Sequence, residues 1–148
     1  MKKGGKPRAL RRGFKVTRRA GEIMIFDLRG HYSHQLNRLA ARVWELSDGR
    51  RTVEQVMEEF SQRRKDSLQV QCLIALKQLT RAGLVTGAPL DELDRRIKEA
   101  DGDDHAAAKL EKTPFVRTVD CDVRRRAAAR RRRRPAPASR HVRSARSA

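Results

Sequence analysis

The chain has 148 residues, with 36 Lys or Arg against 18 Asp or Glu and a formal net charge of +18. That length leaves room for one domain plus tails. No apolar run approaches the ~20 residues of a membrane span, and the basic N-terminus is not followed by the apolar stretch of a signal peptide, so a soluble cytoplasmic protein is expected. The charge lies at the ends: residues 1–12 carry six Lys or Arg and residues 124–148 eleven Arg, neither with any acid. About one net positive charge is left for everything between, so strong attraction to phosphate is expected of the tails and not of the middle.

In chain order, residues 1–13 read as a disordered basic arm, broken by Gly4, Gly5 and Pro7. Phe14-Lys15-Val16 alternates as a half-buried strand would, and Arg19-Ala20-Gly21 supplies a turn. Glu22-Ile23-Met24-Ile25-Phe26 is the strongest strand signal, and Leu28-Arg29-Gly30 makes the next turn. His31 to Leu36 alternates around Tyr32, His34 and Leu36 as a third strand. Three strands joined by short turns make an antiparallel meander.

From Asn37 the period becomes helical. Leu39, Ala40, Val43, Trp44 and Ser47 share one stripe, Asn37 is a good N-cap, and Asp48-Gly49 stops the helix. Thr52-Val53-Glu54-Gln55 is a capping box opening a second helix with Val53, Val56, Met57 and Phe60 inward. A third helix begins near Asp66 or Ser67, carries Leu68, Cys72, Leu73, Leu76 and Leu79, and ends at Gly83 ahead of an extended Leu84-Val85. Such short helices are stable only when packed together. After Pro89, Leu90 to Asp101 outlines a weakly apolar further helix, and Thr113 to Val119 is a short extended apolar island. The expected fold is α+β: a small winged-helix-like domain at 14–86, a three-stranded antiparallel meander followed by three helices. An acidic, partly helical extension at 87–123 and a disordered Arg-rich tail at 124–148 complete it.

The pieces from Tyr32–Leu36 through the Ala40-Ala41-Arg42-Val43-Trp44-Glu45-Leu46 helix, Asp48-Gly49-Arg50-Arg51-Thr52-Val53 and the closing Leu76 to Val85 segment resemble the PqqD-like family. That family is also described as the RiPP recognition element, small peptide-binding domains serving enzymes that modify ribosomally made peptides. The resemblance spans about Phe14 to Thr86. It implies a non-catalytic protein that presents a leader or substrate peptide to a partner modifying enzyme, with no cofactor. It also implies that the peptide adds as a strand to the third strand, in a groove shared with the third helix. Carried onto this chain, the peptide-binding residues are His31, Tyr32, Ser33, His34, Gln35 and Leu36 on the strand and Leu73, Lys77 and Arg81 on the helix. Unpaired edge N–H and C=O groups would supply sequence-tolerant affinity. Proline at Ser33 or His34, whichever turns its N–H outward, is then expected to weaken binding.

The remaining candidates for chemistry are weak. His31 and His34 point to opposite faces of a strand and read as surface or groove residues, with no metal site expected. Asp101, Asp103, Asp104 and His105 lack a calcium-loop pattern and read as a solvated linker. Cys72 lies on an apolar face, Cys121 sits between two aspartates, and both read as free thiols. The competing function is nucleic-acid binding by a winged helix. Its affinity would come from Arg124, Arg125, Arg126, Arg130, Arg131, Arg132, Arg133 and Arg134, through non-specific, salt-sensitive phosphate contact. The third helix carries few side chains suited to reading bases, which argues against sequence-specific recognition by the core.

Overall fold

A computed structural model describes residues 5–61, 66–101, 109–122 and 126. After a two-residue strand β1 (Arg8–Ala9), the chain forms β2 (Phe14–Arg19), β3 (Glu22–Asp27) and β4 (Tyr32–Leu36). Three helices follow, α1 (Arg38–Leu46), α2 (Val53–Ser61) and α3 (Asp66–Arg81), then β5 (Val85–Thr86), α4 (Leu90–Asp101) and β6 (Val116–Asp120). The meander is present, with β2 antiparallel to β3 from Phe14↔Asp27 to Arg19↔Glu22 and β3 antiparallel to β4 from Ile23↔Leu36 to Phe26↔Ser33. The Ala20-Gly21 turn that joins β2 to β3 has positive φ at both residues, 51° and 84°. That is the twist a two-residue hairpin needs.

The helix ends follow their local chemistry. The Asn37 side chain accepts from the Ala40 N–H at 2.9 Å and caps α1. At α2 the box is reciprocal: Thr52 N–H donates to Gln55 Oε1 at 2.9 Å and Gln55 N–H to Thr52 Oγ1 at 3.4 Å. Gly83 (φ 72°) closes α3, with Leu84 N–H reaching Leu79 O at 3.0 Å and Gly83 N–H reaching Thr80 O at 3.1 Å. These two bonds form the Schellman pair.

The core lies where α1 packs on the inner face of β3 and β4 and α3 packs in turn against α1, α2 and α4. Ile23, Ile25 and Leu36 point inward from the strands against Ala40, Val43 and Trp44 of α1 and Val53 and Val56 of α2. Helix α3 is buried almost all round, because α1, α2 and α4 pack against different sides of it. Such a helix reads as apolar on several faces and not as one stripe.

Three expectations are corrected. The sheet has four strands and not three, in the order β2-β3-β4-β6, because the apolar island near the C-terminal end pairs with β4 from Tyr32↔Asp120 to Leu36↔Val116. The N-terminal arm, expected to be disordered, is packed from residue 5. β1 pairs with β5, Ala9 N–H donates to Ser47 O at 2.7 Å, and Val53 N–H donates to Gly5 O at 3.2 Å. Its charges stay outside while the backbone bonds and the buried Ala9 side chain hold it. Gly87 admits this strap, since a Cβ there would lie 2.3 Å from Lys6 O. Finally, packing does not stop at residue 86: Leu93 and Ile97 of α4 and Phe115 belong to the same core cluster. Among the described residues no helix is long and apolar enough to cross a membrane.

Candidate functional site

Residues 113–120 of the same chain run along the outer edge of β4 and against α3, in the place where a peptide groove is expected. Two backbone bonds frame the ladder between β4 and β6. Asn37 N–H donates to Phe115 O at 3.1 Å, and Cys121 N–H donates to His31 O at 2.9 Å. Hydrogen-bonded pairs alternate in an antiparallel ladder, so counting by two from these ends puts Ser33/Val119 and Gln35/Arg117 at the bonded positions. The N–H of Ser33 therefore faces β6, while that of His34 faces β3.

Gln78 of α3 holds the entry to this strand with one side-chain amide. Its Nε2 donates to Thr113 O at 2.9 Å, and its Oε1 accepts from the N–H groups of Phe115 at 2.9 Å and Val116 at 3.1 Å. Three backbone groups that would otherwise lose water on packing are satisfied at once. Phe115 itself is only 4% exposed. The preceding residue, Lys77, pairs with Asp94 of α4 and with Glu111 of the incoming segment, the latter at 2.5 Å. Burial works against the Lys77 charge, but the two carboxylates outweigh it and raise its pKa above that of an ordinary lysine.

His34 is buried on the inner face of β4, with Nδ1 2.9 Å from Thr118 Oγ1 of β6. Desolvation lowers its pKa, and the nearby Asp27 carboxylate opposes that shift. Asp27 is held below the usual carboxylate range by the N–H groups of Gly30 and Arg29, which it accepts at 3.1 and 2.9 Å. His31 stands just before β4 at φ 57°, with its N–H on Asp27 O at 3.1 Å. Tyr32 is exposed, its ring centroid 6.4 Å from that of His34, and Gln35 Nε2 donates to Glu22 Oε2 at 3.2 Å on the outer face.

The expected site residues are thus brought together unevenly. Residues 31–36 line one edge, and Lys77 lies beside it. Leu73 and Leu36 are fully buried in the core and line it only from beneath, and Arg81 is exposed in the last turn of α3. Through its side chain Gln78 makes three hydrogen bonds to this segment, where Lys77 and His34 each make one. Its only sequence signal is a polar side chain on a helix whose other faces are apolar. Of the tail arginines, Arg126 is described and exposed, while Arg124, Arg125 and Arg130 to Arg134 lie outside the described residues. Asp103, Asp104 and His105 also lie outside them.

This arrangement suits holding an extended backbone. Burial pushes the Cys72 thiol up to about 12, which leaves it protonated and unreactive. Both cysteines are free, and the described residues contain no group of three or more His, Cys, Asp or Glu able to hold a metal.

Residues 22–85 match the profile of the family described as Coenzyme PQQ synthesis protein D (PqqD). No curated protein and no solved structure matches the chain. The matched stretch runs from the first residue of β3 to the first residue of β5. It therefore contains β4 and α3, and it excludes the strap and the groove segment.

Proposed function

We propose, because residues 22–85 are a PqqD-like domain of the RiPP recognition element kind, that this chain binds a leader or substrate peptide and presents it to a partner modifying enzyme. The family implies a peptide-binding chaperone in the making of ribosomally synthesised, modified peptides, and its members are accessory proteins without catalysis of their own. In this reading the peptide adds as a strand along residues 31–36 and is flanked by Lys77, Gln78 and Arg81. The observation that carries it is the groove between β4 and α3, which accommodates an extended segment through backbone bonds, a side-chain amide clamp and an apolar anchor. Backbone pairing supplies affinity with little regard to sequence, while the Lys77 charge that meets Glu111 and the apolar seat of Phe115 supply selection.

The test is a titration of the full chain with a pool of candidate leader peptides, and separately with duplex DNA, at two salt concentrations. Peptide binding that survives high salt supports the reading, and in the Phe115→Ala/Val119→Pro background, where β6 no longer competes for the edge, adding Ser33→Pro should weaken it at least tenfold. Ser33 is the right position because its N–H faces the groove. Salt-resistant, sequence-selective DNA binding with no peptide retained overturns it. DNA binding lost at high salt would identify only polyelectrolyte attraction by the arginines.

A further inference from the structure

We infer that residues 111–120 are a built-in occupant of the peptide groove, one that an incoming peptide must displace and whose side-chain pattern describes the ligand; this rests on the peptide-binding reading above. The family match ends at residue 85, so the occupant is an addition to the domain and not one of its own strands. It nevertheless fills the β4 edge completely, from Tyr32 to Leu36. Much of its attachment is through generic contacts. These are ladder bonds and the Gln78 amide, which any extended peptide could make in its place.

Three contacts are specific to its side chains. Glu111 neutralises Lys77, Phe115 fills the apolar end of the groove, and Thr118 meets His34. A peptide that competes well therefore carries an acid four residues before an aromatic or large apolar anchor. A hydrogen-bonding side chain follows three residues after that anchor, with the strand antiparallel to β4. The preference for an acid has a physical source. Displacing Glu111 without replacing it leaves the Lys77 side chain, 8% exposed, with the Asp94 carboxylate to answer its charge.

An occupied groove also changes apparent affinity. A ligand that binds only the open state has its affinity reduced by the fraction of molecules that are open. The wild-type chain should therefore bind weakly until the occupant is loosened.

The test uses the full chain and a fluorescein-labelled synthetic peptide with the sequence of residues 109–122. The Phe115→Ala/Val119→Pro double variant removes the anchor and one ladder N–H, and Phe115→Ala/Arg117→Pro does the same one bonded pair away. Both should bind the labelled peptide at least tenfold more tightly than the wild type. A probe carrying Glu111→Gln or Phe115→Ala should lose at least fivefold. The reverse manipulation needs no opened state. Tyr32 and Asp120 are directly opposed at a non-bonded pair, where side chains approach most closely. A Tyr32→Cys/Asp120→Cys chain in a Cys121→Ser background should bind only after reduction of the new disulfide. Equal binding by wild type, both opened variants and the oxidised, locked chain overturns the inference. The two readings fail separately. Leader peptides that bind wild type and opened variants alike refute the occupant and spare the proposed function. Opened variants that take the labelled segment and no leader peptide spare the occupant and refute the proposed function.

Discussion

At the residue scale the fold depends on a few polar side chains that answer particular backbone groups. Asn37 both caps α1 through its side chain and gives its own N–H to Phe115 O, so it ties the helix start to the groove. Asn37→Ala removes only the cap, and a loss of about 1 kcal/mol is expected in denaturant unfolding. His34 gives the protein a pH dependence with a definite sign. Its pKa is lowered in the folded state by burial, with Asp27 opposing, so the unfolded chain binds more protons. Its contribution to stability is intact above the unfolded value near 6.5 and is lost as pH falls through the lowered folded value. The thermal midpoint should therefore drop between pH 7 and pH 5, and His34→Gln should flatten that drop. The lowered Asp27 carboxyl acts in a more acidic window, below its unfolded value, so the two effects separate along the pH axis.

At the element scale the hairpin and α4 give opposite predictions. Ala20 sits at φ 51°, where a side chain with Cβ is strained and asparagine is better tolerated. Ala20→Asn restores the Asn-Gly turn that a two-residue hairpin favours and should stabilise the chain by about 0.5–1 kcal/mol, read as a higher melting midpoint. Helix α4 is the converse case. Leu93 is fully buried against α3, so Leu93→Ala should cost about 2–5 kcal/mol even though it lies beyond the matched domain. Arg96, which bridges Glu54 of α2 and Glu92 of its own helix, fixes the same packing from the rim.

What could be read from the sequence divides along this scale. The caps at Asn37, Thr52 and Gly83 were legible because each is a local exchange between a side chain and a backbone group a few residues away. The β2-β3-β4 meander was legible because alternation and turn residues are also local. The pairing of β6 with β4 was not. Its partner is 80 or more residues distant in sequence, and Val116 and Val119 alone do not distinguish a sheet strand from a stray apolar pair. The strap was hidden for another reason. Its attachment is made by backbone atoms and by Ala9, while its side chains are those of a solvated arm. The edge formed by residues 31–36 was legible as a candidate site, and its occupant was not.

At the scale of the whole molecule, both segments flanking the matched domain are packed onto it. The strap crosses from Gly5, bonded to the start of α2, past the α1–α2 turn to Leu10, whose N–H donates to Leu84 O at 2.9 Å. Arg11 then places its guanidinium 4.8 Å from the Trp44 ring centroid, over a core tryptophan whose Nε1 has no hydrogen-bond partner among the described residues. Removing residues 1–12 should therefore do more than discharge the chain. A loss of about 2–4 kcal/mol is expected from several backbone bonds and the buried Ala9, visible as a lower midpoint at high salt as well as low. A purely electrostatic arm would give a change that salt abolishes.

The strand that covers the β4 edge has one more consequence, for the time the protein spends waiting. A receiver with a bare β-edge would offer itself to every other unpaired strand, including a second copy of itself. Here that edge is sheathed, and the rim exposed in its place belongs to β6, which carries Arg117 and Asp120. Charges of both signs on a short outer strand repel indiscriminate stacking. On the peptide-binding reading proposed above, the same five residues that delay a proper guest would also hinder improper ones from pairing along β4.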